Sequence, residues 1–186
     1  MKFKPNYILL LLLLLAMPSR AQHDADILKI ILNNYYKKER IVPRGRTQFL
    51  FLYCDKANNN EQLFETIGKM KLSSATAAKL RKEVVADTKT EDWSADLEAV
   101  YASQPQLKSK INACLSLEEY QAEYKKRNVN NQRMMIVSKP LFYDANHAIV
   151  KVVFYRTIEH NSGSVVHLEK INNQWIIKEH LDPWST

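Results

Sequence analysis

The sequence predicts an α+β domain, with a C-terminal antiparallel β-meander packed on several short helices of the N-terminal half. Three observations predict it. Between Asp24 and Tyr124 most apolar residues recur at spacings of three and four, the period of one helix face. After Asn130 the texture changes to β-branched runs. Two tight-turn signals then follow in succession, Asn161–Ser164 and Asn172-Asn173, and strands joined by tight turns run antiparallel.

The first residues read as an address. Lys2 and Lys4 precede an apolar block from Ile8 to Met17, and Pro18-Ser19-Arg20-Ala21 ends it with small residues. That is the pattern of a secretory signal peptide, expected at residues 1–21. The block is too short to span a bilayer, which needs roughly 20 residues. No Cys follows it, which argues against a lipid anchor. One exported domain is expected over residues 22–186, large enough for a core of its own.

Asp24 is expected to cap a first helix with the stripe Ile27, Leu28, Ile31, Leu32 and Tyr35, closed by Lys37, Lys38 and Arg40 before Pro43. Thr47–Cys54 is a continuous apolar run and reads as a buried strand. Asn58 with Glu61 fits a capping box for a helix carrying Leu63, Phe64, Ile67 and Met70. Ser73 or Ser74 caps a helix with Ala77, Leu80 and Val84 inward. Thr90 starts another, through Trp93, Leu97, Val100 and Tyr101. Pro105 suits the first turn of a helix striped by Leu107, Ile111, Cys114 and Leu115. Ser116 with Glu119 forms a second capping box, ahead of Tyr120 and Tyr124. Met134–Val137, Ala148–Glu159, Val165–Ile171 and Gln174–Leu181 read as strands. The sheet, meander plus Thr47–Cys54, is expected to carry helices on one face.

Composition narrows function. The chain has 27 basic and 20 acidic residues. Loss of Lys2, Lys4 and Arg20 with the leader leaves 24 against 20, a mild net charge of +4. The basic residues form no stripe interleaved with aromatics, so no nucleic-acid partner is expected, and no membrane span is expected once the leader is removed. Three glycines exclude a Gly-rich phosphate loop. No HExxH, paired CxxC or GxSxG occurs, so no metal, cofactor or nucleophilic elbow is expected. Cys54 and Cys114 are either a disulfide or two buried thiols. The exported setting permits the bridge.

A four-residue loop at Asn161–Ser164 pairs Arg156 with Glu169. One face then carries Val153, Tyr155, Val166, Leu168, Trp175, Ile177 and Leu181 toward the helices. The other gathers Arg156, His167, Glu169, Lys178 and His180. Those five either line a shallow site for an anion or polar partner, with a His as acid or base, or form a solvated face with an Arg156–Glu169 ion pair. Trp184 reads as a lid on the sheet edge or as a contact for a partner, the lid being the first expectation.

Four stretches also carry a likeness: YCDKANNNEQLFETI at Tyr53–Ile67, CLSLEEYQA at Cys114–Ala122, NNQRMMIVSKPLF at Asn130–Phe142, and the run from Val152 to Trp184. Together they resemble small secreted α+β proteins of Bacteroidetes. At the level of fold, helices ahead of a final meander are similar to the cystatin-like and NTF2-like proteins. The resemblance implies an exported α+β domain and carries over no functional residue.

Three classes follow. The first is a non-catalytic binding module in the periplasm or outside the cell, whose partner is a protein or a small molecule. The second is an inhibitor or immunity-type protein acting on another exported protein. The third is an enzyme with His167 or His180 as base, which requires His167, Glu169 and His180 to converge in a concave pocket.

Overall fold

The computed structural model describes residues 20–37, 49–56, 61–86, 91–127, 132–157 and 159–186. Almost all of the expected leader, the helix end from Lys38 to Pro43, and the caps at Asn58 and Thr90 lie outside the described residues.

The chain runs α1 (Arg20–Tyr36), β1 (Phe49–Tyr53), α2 (Glu61–Lys69), α3 (Ser74–Val84), α4 (Ser94–Ser103), α5 (Pro105–Lys108) and β2 (Ile111–Leu115). It continues with α6 (Leu117–Arg127), β3 (Gln132–Val137), β4 (Leu141–Phe142), β5 (His147–Thr157), β6 (His160–Ile171) and β7 (Gln174–Ser185). The strands form one mixed sheet in the order β2-β1-β3-β5-β6-β7, with β4 paired to β5. β1 is parallel to both β2 and β3, and the remaining pairs are antiparallel. The expected α+β domain with a C-terminal meander is therefore present.

Local chemistry explains several boundaries. Ser73 caps α3 by accepting the Thr76 amide at 3.1 Å. Ser116 and Glu119 exchange both capping-box bonds at the start of α6, at 3.2 and 2.8 Å. Asn172 and Asn173 sit at φ 49° and 63°, the left-handed pair that joins β6 to β7.

The first face of the sheet is closed. Ile27, Leu28, Ile31, Leu32 and Tyr36 of α1 are fully buried with Trp93, Leu97 and Val100 and with Leu107 of α5. They pack on Leu50, Leu52, Met135, Val150, Val152, Val166, Leu168 and Trp175. Each such aliphatic residue contributes about 1.5–3 kcal/mol on burial. Asp24 does not cap α1. It lies inside the helix, buried, with its carboxylate 2.9 Å from Lys56 Nζ, and Lys56 reaches Asp96 at 2.8 Å.

The second face is also covered, contrary to the one-sided expectation, but in two separate pieces. α2 and α3 set Leu63, Ile67, Leu80 and Val84 on Leu141, Ile149 and Val165. α6 sets Tyr120 on Phe51 and Met134. A gap remains between them.

Three further expectations change. Ile111–Leu115 is a strand, not the second half of a helix. Cys114 therefore lies beside β1, with Leu52 as its register partner, and bridges to Cys54 with the Cα atoms 5.1 Å apart. Neighbouring strands about 4.8 Å apart supply that separation. The β5–β6 connection comes earlier than expected, since Thr157 pairs with His160 and Tyr155 with Asn161. Asn161–Ser164 is thus part of β6. Consequently Val152 and Phe154, not Val153 and Tyr155, join the first-face core, because His147 rather than Arg156 stands opposite Glu169 and a register shift by an odd number of residues exchanges faces.

Candidate functional site

The five polar residues expected on one face separate into two groups. His167, Glu169 and Lys178 share the second face at the β6–β7 end. Glu169 accepts from Lys178 Nζ at 3.0 Å and lies 3.6 Å from His147 Nε2. His167 is buried, not solvated. Its Nε2 is 2.6 Å from the Tyr143 hydroxyl and its Nδ1 is 2.9 Å from Glu179. Tyr143 stacks on His147 at 5.2 Å, and His147 Nδ1 bonds Asp144 at 2.8 Å. Arg156 and His180 project from the first face instead. Arg156 forms no pair with Glu169, and His180 Nδ1 lies 3.3 Å from the Tyr35 hydroxyl and 3.2 Å from Ser164 Oγ.

The His167 network is a chain of satisfied bonds. The Lys178 hydrogen bond holds Glu169 below the usual carboxylate range, and burial pushes the Tyr143 phenol up to about 12. At neutral pH that phenol keeps its proton. Among the described residues no group of three His, Cys, Asp or Glu side chains is gathered to hold a metal. His167, Glu169 and His180 do not converge on a common pocket.

Tyr143, His147 and Glu179 were not anticipated here. Glu179 reaches His167 only because β7 carries an extra residue. Leu168 pairs with Ile177 while His167 pairs with Glu179. That bulge puts Lys178 and Glu179 on the same side, which strict alternation forbids. Turn chemistry did offer a signal for the other two. Asp144 accepts from the Asn146 amide at 2.7 Å, an Asx turn that delivers His147.

The gap on the second face is the stronger candidate site. It is a cavity of about 380 Å³ lined by Tyr53, Met134, Ile136, Lys151, Val153 and Trp184, among others. Its floor is β3 and β5, and α6 forms one wall through Leu117. Trp184 forms the far side. Asp182 adopts φ 43° and a second bulge in β7 brings Trp184 opposite Gly163. A Cβ at position 163 would sit 2.8 Å from the Trp184 ring and 2.7 Å from the Val152 carbonyl, so glycine is required for the close approach. Trp184 does lie on the sheet, as expected of a lid.

Lys151 is the cationic group of this cavity. It is half-buried, its Nζ lies 5.6 Å from the centre of the Trp184 ring, and burial holds its pKa below 10.5. No Asp or Glu side chain lines the cavity. The lining is thus largely apolar, with one cation and with Ser138 and Asn161 as further polar groups.

A second cavity, of about 470 Å³, opens on the first face beyond the end of α1. Tyr35, Arg133, Phe154, Arg156 and His160 line it, again without a carboxylate side chain.

Fold and site together define a class, a single-domain α+β protein with a cavity on the open part of its sheet. No protein-family model matches the chain, and neither a curated protein nor a solved structure matches it. No helix among the described residues is long and apolar enough to cross a membrane. The Cys54–Cys114 disulfide is compatible with an extracytoplasmic location.

Proposed function

We propose that this chain is a non-catalytic binding module, exported by the leader at residues 1–21, whose ligand occupies the sheet-face cavity around Lys151. The ligand class is a small molecule with an apolar or aromatic body and one carboxylate-type head. One observation carries the reading: a half-buried ammonium in a largely apolar cavity, whose other polar lining (Ser138, Asn161 and the two tyrosines) includes no carboxylate side chain. A cation beside an indole on a cavity wall can meet an anionic head while the apolar lining takes the ligand's body.

The test is a thermal-shift and Trp-fluorescence titration with benzoate, phenylacetate and hexanoate, each against its neutral amide. A ligand that binds only the folded state raises the melting temperature. The carboxylates are expected to raise it and the amides not, with the preference lost in Lys151→Met. Equal effects of acid and amide would remove Lys151 from the site. No effect of any probe, together with a protein partner recovered by pull-down, would replace the reading with the inhibitor class.

A further inference from the structure

The sheet's first face carries a cluster of like charges that the Lys151 cavity does not use. Arg133 and Arg156 stand on adjacent antiparallel strands. The register pairs Met134 with Tyr155, so the next rung sets position 133 beside 156. Like charges directly opposite one another destabilise a sheet pair. His160, on the third strand and paired in register with Thr157, lines the same cavity. Arg133 already takes part in another contact. The Arg156 side chain has no ion-pair partner within 4 Å among the described residues, although its exposure is only intermediate.

The surroundings favour an oxygen-rich anion with a planar body. Ser162, Ser185 and Thr186 bring hydroxyls to the rim. Tyr35 and Phe154 meet edge-to-face at 4.9 Å and form the aromatic wall. The negative end of α1 does not account for the cluster, because Lys110 Nζ already donates to the Tyr36 and Lys37 carbonyls there.

We propose that Arg156, with Arg133 and His160 beside it, forms a second binding site on the opposite face from the Lys151 cavity, and that it takes a phosphate monoester whose ring lies on Tyr35 and Phe154. A guanidinium offers two parallel N–H donors matched to a phosphate edge. A phosphomonoester carries close to two negative charges at pH 7, which answers two neighbouring arginines better than a monoanion does.

The test is a titration of the full folded chain with phenyl phosphate and with inorganic phosphate, followed by calorimetry and by NMR of Arg side chains. Sodium chloride at matched ionic strength is the control, since screening alone also shifts resonances. Phenyl phosphate is expected to bind saturably and more tightly than inorganic phosphate. Arg156→Gln is expected to weaken it about tenfold or more, with a smaller loss for His160→Gln, an exposed position that leaves the fold intact. Lys151→Met is expected to leave this binding unchanged, which separates the site from the carboxylate site. Shifts equal to those in sodium chloride would overturn the proposal. So would unaltered affinity in folded Arg156→Gln, or loss of affinity in Lys151→Met.

Discussion

Two lysines each lie beside a tryptophan, and they behave oppositely. Lys56 sits under the closed first face, 4.6 Å from the Trp93 ring centre, with Asp24 and Asp96 both within 3 Å. Burial works against its charge, but the hydrogen bonds to the two aspartates outweigh that and hold its pKa above the usual lysine value. Burial in turn pushes Asp24 up, against the pull of Lys56. Lys151 sits on the split second face, beside Trp184, and its pKa is held down by burial. The difference is packing. Where α1 and α4 close over the sheet, a buried charge has protein partners and ties α1, the end of β1 and α4 together. Where α2–α3 and α6 leave a gap, the charge lies in a cavity with no carboxylate lining. The first is structure, and the second is the position we propose for a ligand.

The sharpest way to break the comparison is at Lys56. Lys56→Met leaves two buried carboxylates without their cation and is expected to cost about 3–5 kcal/mol in urea denaturation. The same change in an Asp24→Asn, Asp96→Asn background should cost clearly less. An equal cost would mean that the lysine acts through packing alone.

Next in size is the disulfide. It closes a loop with a sequence separation of 60. Cys54→Ser with Cys114→Ser is expected to lose about 4 kcal/mol, read as the change in denaturation midpoint against the oxidised protein. Gly163→Ala comes third. Its new Cβ meets backbone and indole, and the cost should be about 1–3 kcal/mol with a change in Trp184 emission.

Alkali tests both faces at once. Burial pushes Tyr53, Tyr101, Tyr120 and Tyr143 up to about 12. Their unfolded value is near 10, so between the two the folded chain holds protons that the unfolded chain has released. Stability from these groups is complete below pH 10 and is lost as pH rises to about 12. Absorbance titration at the phenolate band, run with denaturant melts, checks the window.

Lys151→Met should show the smallest effect on stability, within about 1 kcal/mol at pH 7. A lysine held below 10.5 binds fewer protons folded than unfolded in the interval up to that value. Its unfavourable contribution therefore fades as pH rises to 10.5, and so should any stability gained by the variant.

Much of this architecture was legible in the residues. Stripes such as Ile27, Leu28, Ile31 and Leu32 need only the helical period. Ser73 and the Ser116–Glu119 pair cap through bonds three residues away, and Asn172-Asn173 sets its own turn. β2 was not legible, because Ile111, Cys114 and Leu115 continue the helical spacing from Leu107, and so short a segment fits a strand or the end of a helix equally well. The β5–β6 register was missed for a related reason. Val150, Val152 and Val153 are buried on a strand covered on both sides, so alternation gives no clue to register. Asp24 carries the signature of a cap, yet its partner is Lys56, beyond the reach of any local rule. Of the candidate sites, Arg156 was identified but placed on the wrong face, while Lys151 drew no notice in an apolar run.

The residues alone determined most of the helical stripes, the Ser73 and Ser116–Glu119 caps, the last turn and the class of the domain, since those depend on interactions within a few positions along the chain. Tertiary structure decided which cysteine strand lies beside which, where β7 bulges, how Trp184 comes to rest on Gly163, and that helices cover the second face in two pieces. Those outcomes depend on contacts between segments far apart in the chain, where no local pattern holds the information.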